Sequence, residues 1–187
     1  MKDRLKRTQM CRTIAGNSVE MLIITNLEST QDEIAERSAI IVSSRVHPGE
    51  SNASFIVEGF IQFLMSDDED AKVLRERFVF KIIPMLNPDG VIVGNYRSSL
   101  GGHDLNRQWL NPSMKASPEI FCMKEMIKKT LECRKIDLFV DIHGHSRQKN
   151  LFIYGCSKLQ GGPHTQGTLP HLGSVKKDKL GDFVKNL

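Results

Sequence analysis

Two short stretches carry the residue types that chemistry needs. The first is His47-Pro48-Gly49-Glu50, set just after the apolar run Ala39-Ile40-Ile41-Val42. An imidazole nitrogen and a carboxylate oxygen both carry lone pairs that suit a zinc ion. Pro48 and Gly49 make a tight turn, so side chains three positions apart can converge on one point. Alone the pair is a weak signal, because a structural turn is the commoner reason for such a spacing. The second stretch is Asp141-Ile142-His143-Gly144-His145, again after an apolar run, Leu138-Phe139-Val140. Two strand ends, each delivering a histidine, place three ligands around one metal with a fourth position open, and open sites are catalytic ones. His143 and His145 both remain candidates for the third ligand on spacing alone.

These residues need a scaffold, and 187 residues suffice for one domain with a real core. Apolar content of 40% and charged content of 26% are ordinary for a soluble globular protein. The net charge of +4 is a mild bias concentrated near the two ends, and no nucleic-acid partner is expected. The start, Met1 to Arg7, is charged with no apolar segment behind it, which is unlike a secretory signal. No apolar run is long enough to span a bilayer. Cys11, Cys122, Cys133 and Cys156 lack paired spacing and read as reduced thiols, so a cytoplasmic protein is expected.

Strands are expected on either side of the polar turn Ala15-Gly16-Asn17-Ser18, the second over Val19–Thr25, and then over Ala39–Ser44, Phe78–Leu86, Leu138–Ile142 and Leu151–Cys156. Near-continuous apolar character in Ala39–Ser44 suits the buried middle of a parallel or mixed sheet. From Ser51, positions Phe55, Ile56, Gly59, Phe60, Phe63 and Leu64 read as the inward face of an amphipathic helix. The acidic run Asp67-Asp68-Glu69-Asp70 can cap a short helix carrying Val73 and Leu74. A further helix over Ser117–Cys133 follows from Ile120, Met123, Met126 and Ile127. The segment Leu27–Ser38 and the long polar stretch from Asn87 to Pro112 read as loops, the latter long enough to be functional. The alternation predicts an α/β fold, a mixed and largely parallel sheet flanked by helices, with its active loops at strand C-termini. Residues 157–187, rich in glycine, proline and lysine, read as a divergent tail with weak helical spacing only at Leu180, Phe183, Val184 and Leu187.

Four motifs, His47-Pro48-Gly49-Glu50, Asn87-Pro88-Asp89-Gly90, Asp104-Leu105-Asn106-Arg107 and Asp141-Ile142-His143-Gly144-His145-Ser146, resemble those of the zinc carboxypeptidases in type and order. The longer strings Pro84 to Val91, Gly94-Asn95-Tyr96-Arg97 and Asp104 to Trp109 look like the cytosolic carboxypeptidases, which remove glutamates from protein tails such as those of tubulin. The resemblance runs over roughly residues 11–156. It implies one zinc ion held by His47, Glu50 and His143, with the first histidine of the second motif as ligand. It implies that Arg97 polarises the scissile carbonyl and that Asn106 and Arg107 grip the terminal carboxylate. Asp104 matches the carboxylate that orients the first zinc histidine. The chemistry is consistent: arginine meets a carboxylate with a planar fork of donors that lysine lacks.

The same resemblance defines a departure. The family uses a glutamate well beyond the last zinc ligand as general base. Here 44 residues follow His143, and no Glu or Tyr occurs after Tyr154. The expectation is therefore residues 1–156 as the N-terminal part of a catalytic domain, incomplete on its C-terminal side and lacking that glutamate. Asp141 is the one nearby carboxylate to consider in its place, Glu119 and Glu125 being expected behind the sheet. The leading reading is a metallocarboxypeptidase of the deglutamylating type, acting on peptide or protein C-terminal tails, acidic tubulin tails among them. The alternatives are a non-catalytic zinc- or peptide-binding relative, and a zinc hydrolase of small esters or amides. The last fits Asn106-Arg107 less well, since that pair implies a carboxylate-bearing partner.

Overall fold

Apolar runs separated by helical segments pair most simply as parallel strands joined by crossovers, and the computed structural model, which describes residues 3–155, has that arrangement. Its elements are β1 (Leu5–Arg12), β2 (Ser18–Ile24), α1 (Gln31–Glu36), β3 (Ser38–Ser44), α2 (Ser51–Met65), α3 (Glu69–Arg77), β4 (Phe78–Ile83), α4 (Pro88–Val93), a 3₁₀ turn (Leu105–Arg107), α5 (Pro118–Cys133) and β5 (Ile136–Ile142). The strand order is β1-β2-β4-β3-β5. β1 is antiparallel to β2 and β2 to β4, while β3 is parallel to both β4 and β5. Only β2 is thus reversed, and the expected mixed, largely parallel sheet is what forms.

Two apolar layers cover the sheet. On one face Ala39, Ile41, Ile83 and Ile136 pack with Ile120, Met123, Met126 and Ile127 of α5. On the other, Ile24, Val42, Phe80 and Ile82 pack with Val57 and Leu64 of α2. The α5 face is the one its periodicity predicts. α2 is phased differently from expectation: Ala53, Val57 and Leu64 are its buried residues, while Phe55 is 72% exposed and Ile56 and Phe63 are exposed too. Apolar residues occur almost all round this helix, so spacing cannot choose the face. Ser44 Oγ, donating to the Ala53 carbonyl at 3.0 Å, and the position of Glu50 at the helix start fix the rotation.

Three further expectations are corrected. Within the supposed loop Leu27–Ser38, Thr30 and Glu33 form a reciprocal capping box that starts α1, a helix with no buried residue and hence no apolar stripe to betray it. Within the polar stretch after Asn87, α4 starts on Asn87 Oδ1, which accepts from Gly90 N at 3.0 Å. It ends at Gly94, whose φ of +83° glycine adopts without strain. The strand expected over Leu151–Cys156 is reduced to a single bridging residue, Ile153, and Cys156 and the tail lie outside the described residues. Strand β4 stops at Ile83, and β5 begins two residues early, at Ile136.

Candidate metal centre

The sheet sets the site because β3 and β5 are adjacent and parallel, with Ser44 opposite Ile142. Their C-terminal ends therefore deliver His47 and His143 to the same place. After β3 the chain reverses at Arg45, whose φ of +56° is left-handed and disfavoured for a side-chain-bearing residue. Arg45 Nε donates to the Pro48 carbonyl at 2.8 Å and its Nη1 to Ser54 Oγ at 2.7 Å, holding the turn against α2. Gly49 is needed for close approach. Its N–H donates to the Tyr96 carbonyl at 2.7 Å, and a Cβ there would lie 2.5 Å from the Tyr96 ring.

One atom each of His47, Glu50 and His143 come within 4.8 Å of one another. Glu50 stands between the imidazoles: Oε1 is 2.8 Å from His47 Nδ1, Oε2 is 3.0 Å from His143 Nδ1, and Oε2 accepts from Gly144 N at 2.8 Å. Glu50 is also the N-cap residue of α2, yet it makes no side-chain cap, because its carboxylate is engaged by the histidines. The far side of each ring meets another carboxylate. His47 Nε2 lies 3.1 Å from Asp104 Oδ1, and His143 Nε2 lies 2.6 Å from Asp141 Oδ2. Asp141 Oδ1 in turn accepts from Ser43 Oγ at 2.6 Å.

That geometry decides what the site can hold. A carboxylate only accepts, so each Nε2 carries a proton toward its aspartate. Each Nδ1 then presents a lone pair toward Glu50, itself an acceptor. Two imidazole lone pairs and a carboxylate facing one another are satisfied by a shared cation or by a second proton on each ring. Burial works to lower the His143 pKa, but the hydrogen bond and charge of Asp141, with the charge of Glu50, outweigh it and hold it above the usual histidine value. Two nitrogens and one carboxylate are a donor set that zinc accepts, with a coordination position to spare.

The remaining expected residues surround this centre unequally. Asp104 is shared: Oδ1 meets His47 and accepts from Asn106 N at 2.9 Å, while Oδ2 accepts from Arg97 Nε at 2.8 Å. Burial would raise its pKa, but the His47, Asn106 and Arg97 contacts bring it below the usual carboxylate value. Asn106 reaches the trio, its Nδ2 being 3.4 Å from His143 Nε2. Arg107 is exposed on the outer side of the 3₁₀ turn and donates to the Asn106 carbonyl at 3.3 Å. His145 stays outside the trio: its Nδ1 accepts from the backbone N–H groups of Arg147 and Gln148, which closes the next turn.

Asp141 has a different part from the one expected of it. It lies near the end of β5, two residues before His143, which sits just past the strand end, and the two side chains meet at 2.6 Å; that spacing could have marked it as the orienting carboxylate. Held by His143 and Ser43, it cannot stand in as a free base. Glu119 is buried at 1% exposure within the α5 layer, and Glu125 pairs with Lys128 at 2.7 Å on the same helix. Neither joins the site, as expected.

Residues 1–185 match the family model described as zinc carboxypeptidase, a match that runs past the point where the motif resemblance stops. Cytosolic carboxypeptidase 2 of Mus musculus is 54% identical over 151 residues, covering 81% of this chain and 18% of that protein. Cytosolic carboxypeptidase 3 of the same organism is 48% identical over 147 residues, covering 79% and 14%. The chain thus spans under a fifth of these relatives. Among solved structures, a metallo-carboxypeptidase from Burkholderia cenocepacia superposes with a TM-score of 0.68 at 32% identity, over 76% of this chain and 37% of that one. No described helix is long and apolar enough to cross a membrane.

Proposed function

The chain belongs to the zinc carboxypeptidase family, and from that premise we propose that it contributes the metal and carboxylate-recognition half of a cytoplasmic carboxypeptidase site. The observation that carries the reading is the pair of Nδ1 lone pairs converging on Glu50, each ring backed by its own aspartate. We assign zinc to His47, Glu50 and His143. When bound there, zinc polarises a carbonyl and acidifies a bound water. Asp104 and Asp141 hold the ligand rings in the tautomer that leaves Nδ1 free.

Arg97, held through Nε by Asp104, has two terminal nitrogens that make no hydrogen bond to the described residues; they serve the scissile carbonyl and the charge that develops on its oxygen. Asn106 and Arg107 serve the terminal carboxylate of the peptide. Glutamate as the released residue, and acidic protein tails such as those of tubulin as substrates, follow from the kinship with cytosolic carboxypeptidases. Among the described residues each site carboxylate is already engaged: Glu50 by both rings, Asp104 by His47 and Arg97, Asp141 by His143 and Ser43. The group that takes the proton from water therefore lies outside residues 3–155, and binding is the function these residues can perform by themselves.

The test is calorimetric titration of the zinc-loaded chain with a glutamate-terminated peptide and with its C-terminal amide. Preference for the free acid of about tenfold or more, lost with Arg107→Ala and Asn106→Ala, is expected for charge-assisted recognition. Equal binding of acid and amide would refute the carboxylate-directed reading.

A further inference from the structure

Asn106 can face the metal trio with either end of its amide, and only the NH₂ end can meet a carboxylate. The inference drawn here rests on the reading of Asn106 as part of the carboxylate grip. What chooses the end is Trp109. An indole N–H can only donate, and Trp109 Nε1 lies 2.8 Å from Asn106 Oδ1. The oxygen is therefore turned toward the indole, and the NH₂ toward the histidines. The Nδ2 to His143 Nε2 separation of 3.4 Å does not occupy that NH₂, because His143 Nε2 directs its own proton to Asp141 at 2.6 Å and has no lone pair to give. Among the described residues both Asn106 donors are uncommitted.

Trp109 is itself fixed. It follows Asn106 by three residues, two beyond the end of the 3₁₀ turn Leu105–Arg107, where the bending chain brings its indole back to the Asn106 amide. Its ring meets Phe139 of β5 edge-on, with centroids 6.1 Å apart at 85°. Its carbonyl accepts from Lys124 Nζ of α5 at 2.8 Å. A half-buried tryptophan anchored to both a strand and a helix is a rigid post against which a small amide can be aligned.

We infer that Trp109 is a positioning residue for substrate recognition, its indole N–H locking the Asn106 amide with the NH₂ toward the carboxylate of an incoming peptide. Trp109→Phe keeps the ring and removes the N–H. Titrated with benzoyl-Gly-Glu, the zinc-loaded variant is expected to lose about threefold to tenfold in affinity, with binding of the C-terminal amide, zinc content and melting temperature unchanged. In an Asn106→Ala background the same substitution is expected to cost nothing more. Wild-type affinity for the free acid, equal weakening of acid and amide, or an undiminished loss in the Asn106→Ala background would each overturn the assignment. If Asn106→Ala itself leaves the affinity intact, the carboxylate grip fails and Trp109 loses its part with it. If Asn106→Ala weakens binding and Trp109→Phe does not, Trp109 alone is eliminated. Should Trp109→Phe not fold, the wild-type indole answers instead, since the chain has one tryptophan and one indole N–H resonance. Its hydrogen exchange is expected to quicken about tenfold in Asn106→Ala; an indole proton already exchanging at the free rate in the wild type overturns the inference.

Discussion

Replacing Glu119 with glutamine should make the protein more stable, and only where the pH is high. Glu119 occupies the first turn of α5 at 1% exposure, and among the described residues neither of its carboxylate oxygens has a hydrogen-bond partner. Burial pushes its pKa from 4.5 up to about 7, with its own backbone amide pulling the other way and the nearby Asp89 charge adding to the rise. In the unfolded chain the group titrates near its ordinary value. Between about 4.5 and 7 the folded protein therefore holds a proton that the unfolded chain has released. The unfolded state binds fewer protons there, so stability falls as pH rises, and the loss is complete above about 7. A difference of about 2.5 units at about 1.4 kcal/mol each gives a penalty of about 3 kcal/mol at pH 8. Glutamine has the shape of the protonated acid and nothing to ionise. Urea unfolding should find Glu119→Gln within about 1 kcal/mol of wild type at pH 5 and about 3 kcal/mol more stable at pH 8. A stability difference that is the same at both pH values, or a destabilised variant at pH 8, would refute the reasoning.

His143→Ala should leave the purified chain with well under one zinc by elemental analysis, whereas His145→Ala should retain it, because His145 Nδ1 serves a backbone turn. Asp141→Asn should weaken zinc by about tenfold to a hundredfold in chelator competition while changing the melting temperature little, and Ser43→Ala should do the same to a smaller degree. Asp89 is buried and accepts from Thr13 Oγ1, Asn17 Nδ2 and Ala15 N at 2.5, 2.8 and 2.9 Å, so Asp89→Ala should cost about 2–4 kcal/mol in urea unfolding by orphaning donors that tie the β1–β2 turn to α4.

Residue type and spacing pointed to His47 and Glu50 meeting a histidine from the stretch after β5 but left His143 and His145 open; the family resemblance chose His143, and it is His143 whose ring nitrogen comes within 4.8 Å of the other two. The sheet was legible from residue type: buried strands in a parallel arrangement are almost uniformly apolar, as Ala39–Ser44 is. Contacts that depend on rotation about an axis were not legible. The burying face of α2 is fixed by what Glu50 must reach, and a helix with apolar residues on nearly every side does not record that choice. Glu119 reads as an ordinary first-turn acid, because nothing local reveals that α5 turns it into the core. The amide direction of Asn106 was beyond reach too, being set by one donor atom of a tryptophan three residues on.

The β3–β5 pairing has a consequence for local opening. Glu50 and His143 are 93 residues apart in sequence, and β5 is the outermost strand of the sheet, hydrogen-bonded along one side only among the described residues. Such a strand is the natural first unit to fray. A metal ion held as proposed by Glu50, at the start of α2, and His143, just past the end of β5, would act as a clasp across that seam, its binding free energy given up whenever the strand lifts. Chelation should therefore be seen most strongly not at the metal turn but along β5, as a selective loss of amide protection from Leu138 to Ile142 while β2 and β4 remain closed.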